Sequence, residues 1–471
     1  MTETSEMRTP LPILTALAAA SLTASLGISV ASVLLPTLTR SFEVTISQAQ
    51  WVVLAYLMAV TVTIVSAGRL GDLFGHRRVM IAGLIVFMSA SVLCATAPSL
   101  GLLILGRVLQ GVGGAILIAL TMSIARDLVP SGQLGKAMGL LGTTSAIGTA
   151  LGPALGGLVL AWSDWRLAFW LLGAVAGLTL ILVVFVIRRD RLKNRASFRS
   201  LDLPGTALLI AALGAYSLAT SGGATGVPVS KTVLVVVALA ATACFVMVET
   251  RASVPLVPMA VLIDKRTGAG VAMNILVGTV MMATLVVGPF FLTFSLGLGE
   301  AVVGLVLAVG PVVAALSGVP SGWLTDRFGA RRVMLAGLMQ TMLGLLCLAF
   351  LPRLFGVGGY IAALIVLTPA FQLFLAANNT AVMSGASPEQ RGRLSGLLGL
   401  SRNLGLMTGA SAMSTLFVTV MGTGDAAEAT VADVSRAFSM TFFAAAALTL
   451  IGLFVALWTH SGRERAPADP V

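Results

Sequence analysis

Fourteen apolar stretches, each long enough to cross a lipid bilayer as a helix, follow one another along the chain. A crossing helix needs about 20 predominantly apolar residues, because each residue rises about 1.5 Å through a hydrocarbon layer roughly 30 Å thick. By that measure the stretches run 12–37, 47–69, 78–97, 101–125, 134–161, 167–187, 203–220, 232–249, 268–294, 301–324, 333–351, 357–380, 394–421 and 437–459. Few folds are open to such a chain. The bilayer core offers no water to the backbone, so each N–H and C=O must be bonded within the protein. An all-α polytopic membrane protein with 14 transmembrane helices is the expectation. The connectors are short, and only 10% of the residues are charged, against about a quarter in soluble proteins. No separate soluble domain is expected.

An even number of crossings puts both termini on one side. With that side cytoplasmic, most of the 29 lysines and arginines fall there. Arg40, Arg166, Lys231, Arg353 and Arg436 fall on the other side, and Arg107 and Arg402 lie within spans. This is the positive-inside bias. It accounts for the formal charge of +11 through loops held at an anionic membrane face, without nucleic acid as a partner. The apolar run after "MTETSEMRTP" is too long for a signal peptide and reads as the first span. Cys94, Cys244 and Cys347 stand far apart in apolar runs, which suits neither a disulfide framework nor a metal site.

The chain repeats itself. Residues 69–84 and 323–338 agree at eleven of sixteen positions, at an offset of 254. Gly135, Gly139 and Gly142 match Gly392, Gly396 and Gly399 at an offset of 257. A near-constant offset points to a duplicated half. Spans one to six then correspond to spans nine to fourteen, and spans seven and eight are an insert. The expected organisation is an N-terminal six-helix bundle over 1–190, a cytoplasmic linker with two inserted helices over 191–266, a C-terminal six-helix bundle over 267–460 and a cytoplasmic tail over 461–471.

Each repeat carries a charged elbow, "GRLGDLFGHRRVM" from Gly68 and "SGWLTDRFGARRVM" from Ser321. Topology anchoring needs only Lys and Arg. An Asp and a Gly at fixed places in both halves suggest more. Asp72 can bond an arginine such as Arg77 or Arg126, and the second elbow offers Asp326, Arg327, Gly329 and Arg331. A latch of this kind would hold the two halves together on one side and break when that side opens. Span five carries glycines at 139, 148, 152, 156 and 157 with Pro153. Spacings of four put Gly148, Gly152 and Gly156 on one face, where another helix can approach closely. A charge at bilayer depth costs about 2.5–3.5 kcal/mol on insertion scales and normally faces the bundle interior with a partner. Arg107 with Gln110, and Arg402 with Asn403, are therefore candidates for coupling or substrate contact.

Three motifs resemble those of the major facilitator superfamily. Gly68, Leu70, Asp72, Gly75 and Arg77, followed by Arg78, match the family elbow, with Leu73 and His76 departing from it. Leu103, Arg107, Gln110, Gly111, Gly113, Gly114 and Ala115 match a pattern in span four. Gly139, Gly148, Gly152, Pro153, Gly156 and Gly157 match the span-five pattern of exporters that exchange substrate for an ion. With fourteen spans and "SDWRLAFW" at Ser163–Trp170, the chain resembles the fourteen-span drug/proton antiporter branch. The resemblance implies a monomeric multidrug-efflux transporter of the bacterial inner membrane. It would export lipophilic or amphipathic small molecules by alternating access, driven by protons, and be neither an enzyme nor a cofactor protein.

All 18 acids lie in loops, tails or span ends, and span one, "SLTASLGISVASVLLPTL", has serines and a glycine where that branch commonly has an acid. Titrating candidates are Asp72, Asp127, Asp164, Glu300 and Asp326; His76 and His460 lie at the cytoplasmic edge and are poor ones. Uniport or import of an organic anion or metabolite, and lipid transport, stay open beside proton antiport. Ser25, Ser29 and Ser32, on one face of span one, are candidate cavity residues. Further candidates are Asn274, Gln372, Asn378, Asn379, Tyr56, Phe290, Phe291 and Phe294.

Overall fold

A computed structural model describes residues 11–129, 134–187, 202–220, 230–252, 264–384, 388–425 and 428–460. The regular structure among them is helical. In chain order the helices are α1 (Leu11–Phe42), a four-residue turn of helix (Ile46–Ala49), α2 (Trp51–Phe74), α3 (His76–Ala95), α4 (Leu100–Leu128), α5 (Leu134–Trp162), α6 (Arg166–Val186), α7 (Leu203–Thr220) and α8 (Lys231–Glu249). They continue with α9 (Lys265–Phe290), α10 (Glu300–Phe328), α11 (Ala330–Met383), α12 (Pro388–Thr408), α13 (Ser414–Met421) and α14 (Val431–His460). Short π-helical segments, Phe291–Ser295 and Gly409–Met413, extend α9 and join α12 to α13.

Among the described residues, 12 helices are long and apolar enough to cross a membrane. One of them, α11, has 54 residues and is broken at Gly356, whose φ of 55° and ψ of −131° are not helical. At about 1.5 Å per residue, 54 residues would span more than twice the hydrocarbon thickness, so the break falls where the chain has to turn back. The 18-residue α7 is apolar but shorter. Helix starts follow the local chemistry. Ser99 accepts from the backbone of Leu102, and Asp264 from that of Thr267. Thr45 and Gln48 cap each other reciprocally ahead of α2.

Contacts sort the helices into two sets. α1 packs on α4, α5 and α6, α2 on α4, and α3 on α4 and α6; α9 packs on α11, α12 and α14, and α10 and α14 on α11. The sets meet where α5 lies along α10, α1 along α9 and α2 along α12. α7 and α8 pair with each other, and α7 rests on α2 and on the Gly409–Met413 segment. Its last residue, Thr220, bonds the Ser411 hydroxyl and accepts at its carbonyl from Thr415. At its first turn, the Asp202 carboxylate accepts from the backbone of Gly205, 2.9 Å away. Outward faces of the crossing helices carry large exposed apolar side chains such as Phe185, Leu316, Phe454 and Trp458. That is the surface a hydrocarbon surround accepts.

Candidate functional site

The two ends of the bundle differ. At the end away from the elbows, the two sets close on each other. Gly157 of α5 and Gly304 of α10 meet backbone to backbone: a methyl group at Gly157 would lie 2.6 Å from the Glu300 carbonyl oxygen and 2.7 Å from the Gly304 Cα. Beside this seam the Thr37 hydroxyl donates to Glu300 Oε1 at 2.8 Å. The backbone N–H of Ile46 donates to the Gly424 carbonyl at 3.1 Å, and the Arg40 guanidinium sits 4.9 Å from the Phe294 ring centroid. Gly148, Gly152 and Gly156, on the next face of α5, pack against α1 at Leu22, Ser29 and Val33. Gly139 stands earlier on α5, outside the residues whose packing is described.

The elbow end is different. Gly75 and Gly329 take φ of 95° and 84°, a turn that a side chain disfavours, so each elbow needs glycine there. In the first elbow, His76 sits between two carboxylates, with Nε2 3.1 Å from Asp72 Oδ1 and Nδ1 3.1 Å from Asp127 Oδ2. Both nitrogens can donate only when both carry hydrogen. Asp72 thus has His76 rather than Arg77 or Arg126 as its partner, while Arg77 donates to the Val184 carbonyl of α6 at 2.8 Å. Arg126 lies 4.0 Å from Asp127, and Arg78 has no ion pair among the described residues. Gly68 meets no neighbour at its Cβ position. In the second elbow Asp326, Arg327, Gly329 and Arg331 are exposed. Arg327 covers the Trp323 ring at 5.1 Å. Among the described residues, Asp326 and Arg331 make no hydrogen bond or ion pair.

Between the two ends lies a cavity of about 460 Å³. Its walls are the elbow-side half of α5 (Gly142 to Thr149), with α9, α10, the second half of α11 and Arg402 of α12. Apolar side chains such as Leu285, Leu307, Leu364 and Phe371 dominate, and Thr284, Thr368 and Gln372 supply polar groups. Tyr360 lines the cavity with a buried hydroxyl that has no hydrogen-bond partner among the described residues.

The two membrane arginines differ. Arg107 is fully buried, donates from Nε to the Val52 carbonyl at 2.8 Å and bonds Gln110, with its guanidinium 4.2 Å from the Tyr56 ring centroid. Gln110 in turn donates to the Ser91 hydroxyl at 2.7 Å. Arg107 and Gln110 do not line the cavity; they join α2, α3 and α4. Arg402 does line it. Among the described residues, its side chain has no hydrogen bond or ion pair.

The other predicted cavity residues go mostly elsewhere. Ser25, Ser29 and Ser32 are buried in the seam of α1 with α5, where Ser25 pairs with Ser145 at 2.7 Å and Ser29 donates to the Gly148 carbonyl at 3.4 Å. Asn274 ties α9 to α12 through the Leu398 carbonyl and Ser401 hydroxyl, both at 2.8 Å. Asn378 donates to the Gly270 carbonyl at 3.2 Å, Asn379 is exposed, and Asn403 is half-buried. Small polar residues that face a neighbouring helix glue it in place. Phe290 and Phe291 are buried in an aromatic cluster with Phe417 and Phe438, and Tyr56 donates to the Ala24 carbonyl. Of the predicted residues, Gln372 and Arg402 line the cavity, and Tyr360 and Thr368 are residues it adds. Arg402 had a sequence signal, a charge inside a span; Tyr360 and Thr368 had none.

Residues 17–293 and 270–470 match the Major Facilitator Superfamily profile. The chain is 31% identical over 404 residues to an uncharacterized transporter, YebQ, of Escherichia coli, covering 83% of this chain and 87% of that one. It is 30% identical over 396 residues to the multidrug resistance protein Stp of Mycobacterium tuberculosis, covering 82% and 72%. It is 25% identical over 431 residues to the riboflavin transporter RibZ of Clostridioides difficile, covering 91% and 93%. Among solved structures, a bacterial homologue of the human lysosomal transporter Spinster, inward-facing and unoccupied, superposes with a TM-score of 0.70 at 15% identity, over 98% of this chain and 100% of that one.

Proposed function

The chain belongs to the Major Facilitator Superfamily, and on that premise we propose that it exports lipophilic or amphipathic small molecules by alternating access. The observation that carries the proposal is the cavity, apolar with a few polar groups, lying beside a closed backbone seam at one end and unlatched elbows at the other. Such a lining suits drug-sized lipophilic cargo. Counting α11 as two crossings and adding α7 brings the twelve helices to the fourteen crossings read from the sequence. The duplicated halves 1–190 and 267–460 then rock about the cavity, with residues 191–266 between them and the tail 461–471 beyond. The positive-inside bias places both termini and both elbows in the cytoplasm of a bacterial cell, so this conformation faces inward. The elbows latch when the inner mouth closes, with Asp72, Arg77 and Arg78 meeting their counterparts near Asp326, Arg327 and Arg331.

Proton antiport drives the export in this reading. Glu300, bonded to Thr37 across the closed end, is placed to link protonation to opening, and the Asp72–His76–Asp127 group lies at the other mouth. Arg107 and Gln110 hold the first bundle in the shape the coupling needs. A second reading, gradient-independent uniport, is favoured by the position of every acid in a loop, a tail or at a span end.

Purified protein in proteoliposomes decides between them. A pH gradient imposed across the membrane drives accumulation of a lipophilic dye in the exporter, and Glu300→Gln loses the gradient dependence while keeping downhill flux. Accumulation indifferent to the gradient leaves uniport. No flux of any lipophilic probe, in protein that is folded and inserted, rejects the export reading.

A further inference from the structure

Among the described residues, Arg402 is the charged side chain that lines the cavity. It lies at membrane depth on α12, and its side chain is exposed and lines the cavity. Arg107 shows what the fold does with a buried guanidinium it means to keep to itself: a carbonyl, an amide and an aromatic face surround it. Arg402 has no such company among the described residues. Among the described residues, no aspartate or glutamate lines the cavity. A charge at membrane depth normally faces the bundle interior and pairs with an opposite charge. Here the cavity leaves that partner to come from outside.

A second group points the same way. The Tyr360 hydroxyl is buried, has no hydrogen-bond partner among the described residues and lines the same cavity. Thr368 and Gln372 add donors to the wall on the same helix. A guanidinium, a phenol and an amide supply N–H and O–H donors to a carboxylate, sulfate or phosphate oxygen. Facing them are Met281, Leu285, Leu307 and Phe371, which accept only an apolar body.

We propose that the cavity is a binding site for an amphiphile with one anionic headgroup, received by Arg402, and an apolar body laid along α9 and α10. The proposal rests on the cavity being the cargo site. It narrows that cargo: a cationic amphiphile would meet Arg402 with like charge, and a neutral one would leave the guanidinium bare. The headgroup chemistry is shared by soluble organic acids and by membrane lipids.

The test uses three dansyl probes on one fluorophore: dansylglycine (anionic), dansylamide (neutral) and dansylcadaverine (cationic). Full-length protein sits in phosphatidylcholine nanodiscs, and binding is read by fluorescence anisotropy against empty discs. Dansylglycine is expected to bind about tenfold or more tightly than the other two. Arg402→Gln removes that preference and leaves dansylamide binding unchanged, while Arg402→Lys retains it in part. Should Arg402→Gln fail to assemble, Gln372→Glu sets a carboxylate in the same cavity and must cancel the preference as well. Phosphatidylglycerol added to the discs assigns the source: competition with dansylglycine marks a lipid headgroup, and its absence a soluble acid. Equal binding of the three probes, or a preference that survives Arg402→Gln, overturns the anionic assignment and leaves the cargo cavity standing. Binding of none, with no dye transport in proteoliposomes, removes the cargo cavity itself.

Discussion

Arg107 and Arg402 look alike in the sequence: each is a lone charge in an apolar run, followed within three residues by an amide. Their fates are set by residues far along the chain. Val52 and Ser91, on neighbouring helices, complete the surroundings of Arg107 and its partner Gln110; among the described residues, nothing comparable reaches Arg402. Periodicity can say that a charge lies inside a span, but not which carbonyl is free to meet it. His76 shows the same limit. The sequence placed it at the membrane edge, and its pairing with Asp127 depends on how α4 ends beside the elbow. Because fixed groups meet Arg107 at Nε and Nη1 and over its face, Arg107→Ala strands a carbonyl, an amide and a ring face together. Its expected cost is about 3 kcal/mol, from charged hydrogen bonds and a cation–π contact. Arg107→Lys recovers only part of that, since an ammonium lacks the planar fork. Thermal unfolding in detergent measures both; an unchanged midpoint in Arg107→Ala would mean that these contacts do not hold α4 to α2.

α5 uses two adjoining glycine faces for two neighbours. Gly148, Gly152 and Gly156 admit α1, and Gly157 admits α10 of the other set. The spacing of the glycines was legible as a packing face; the second face was not, because it needs knowledge of where α10 lies. Hydropathy also misjudged some helix ends. α2 runs to Phe74, past the apolar limit at 69, because a helix continues through polar residues until Gly75 turns it. Gly157→Leu should therefore pry α5 from α10 without touching α1. The axes would part by roughly 2–3 Å, the difference between a glycine-lined contact and an ordinary one. Spin labels at positions 162 and 302, whose native Trp162 and Val302 are exposed, read that change. An unaltered distance would show that the seam does not set the closed end.

At the scale of the molecule, the apolar runs made an all-helical, many-span chain legible in the sequence. The conformation was not. It is decided by contacts such as Thr37 with Glu300, 263 residues apart, which no local pattern announces. If this state opens toward the elbows, a cysteine at Thr143 or Val319, both lining the cavity, reacts with a membrane-impermeant thiol reagent applied from the elbow side and not from the other. The experiment needs a background free of Cys94, Cys244 and Cys347. Labelling from both sides alike would mean that the bundle is not closed at the far end. The bare guanidinium of Arg402 has an electrical consequence as well. A whole elementary charge carried across a bilayer exchanges about 2.3 kcal/mol with every 100 mV of membrane potential, and a partial displacement exchanges its share. An empty carrier that rocks around Arg402 moves that charge through part of the field, whereas a carrier neutralised by an anion moves none. Voltage would then act on the return stroke and leave the loaded stroke indifferent.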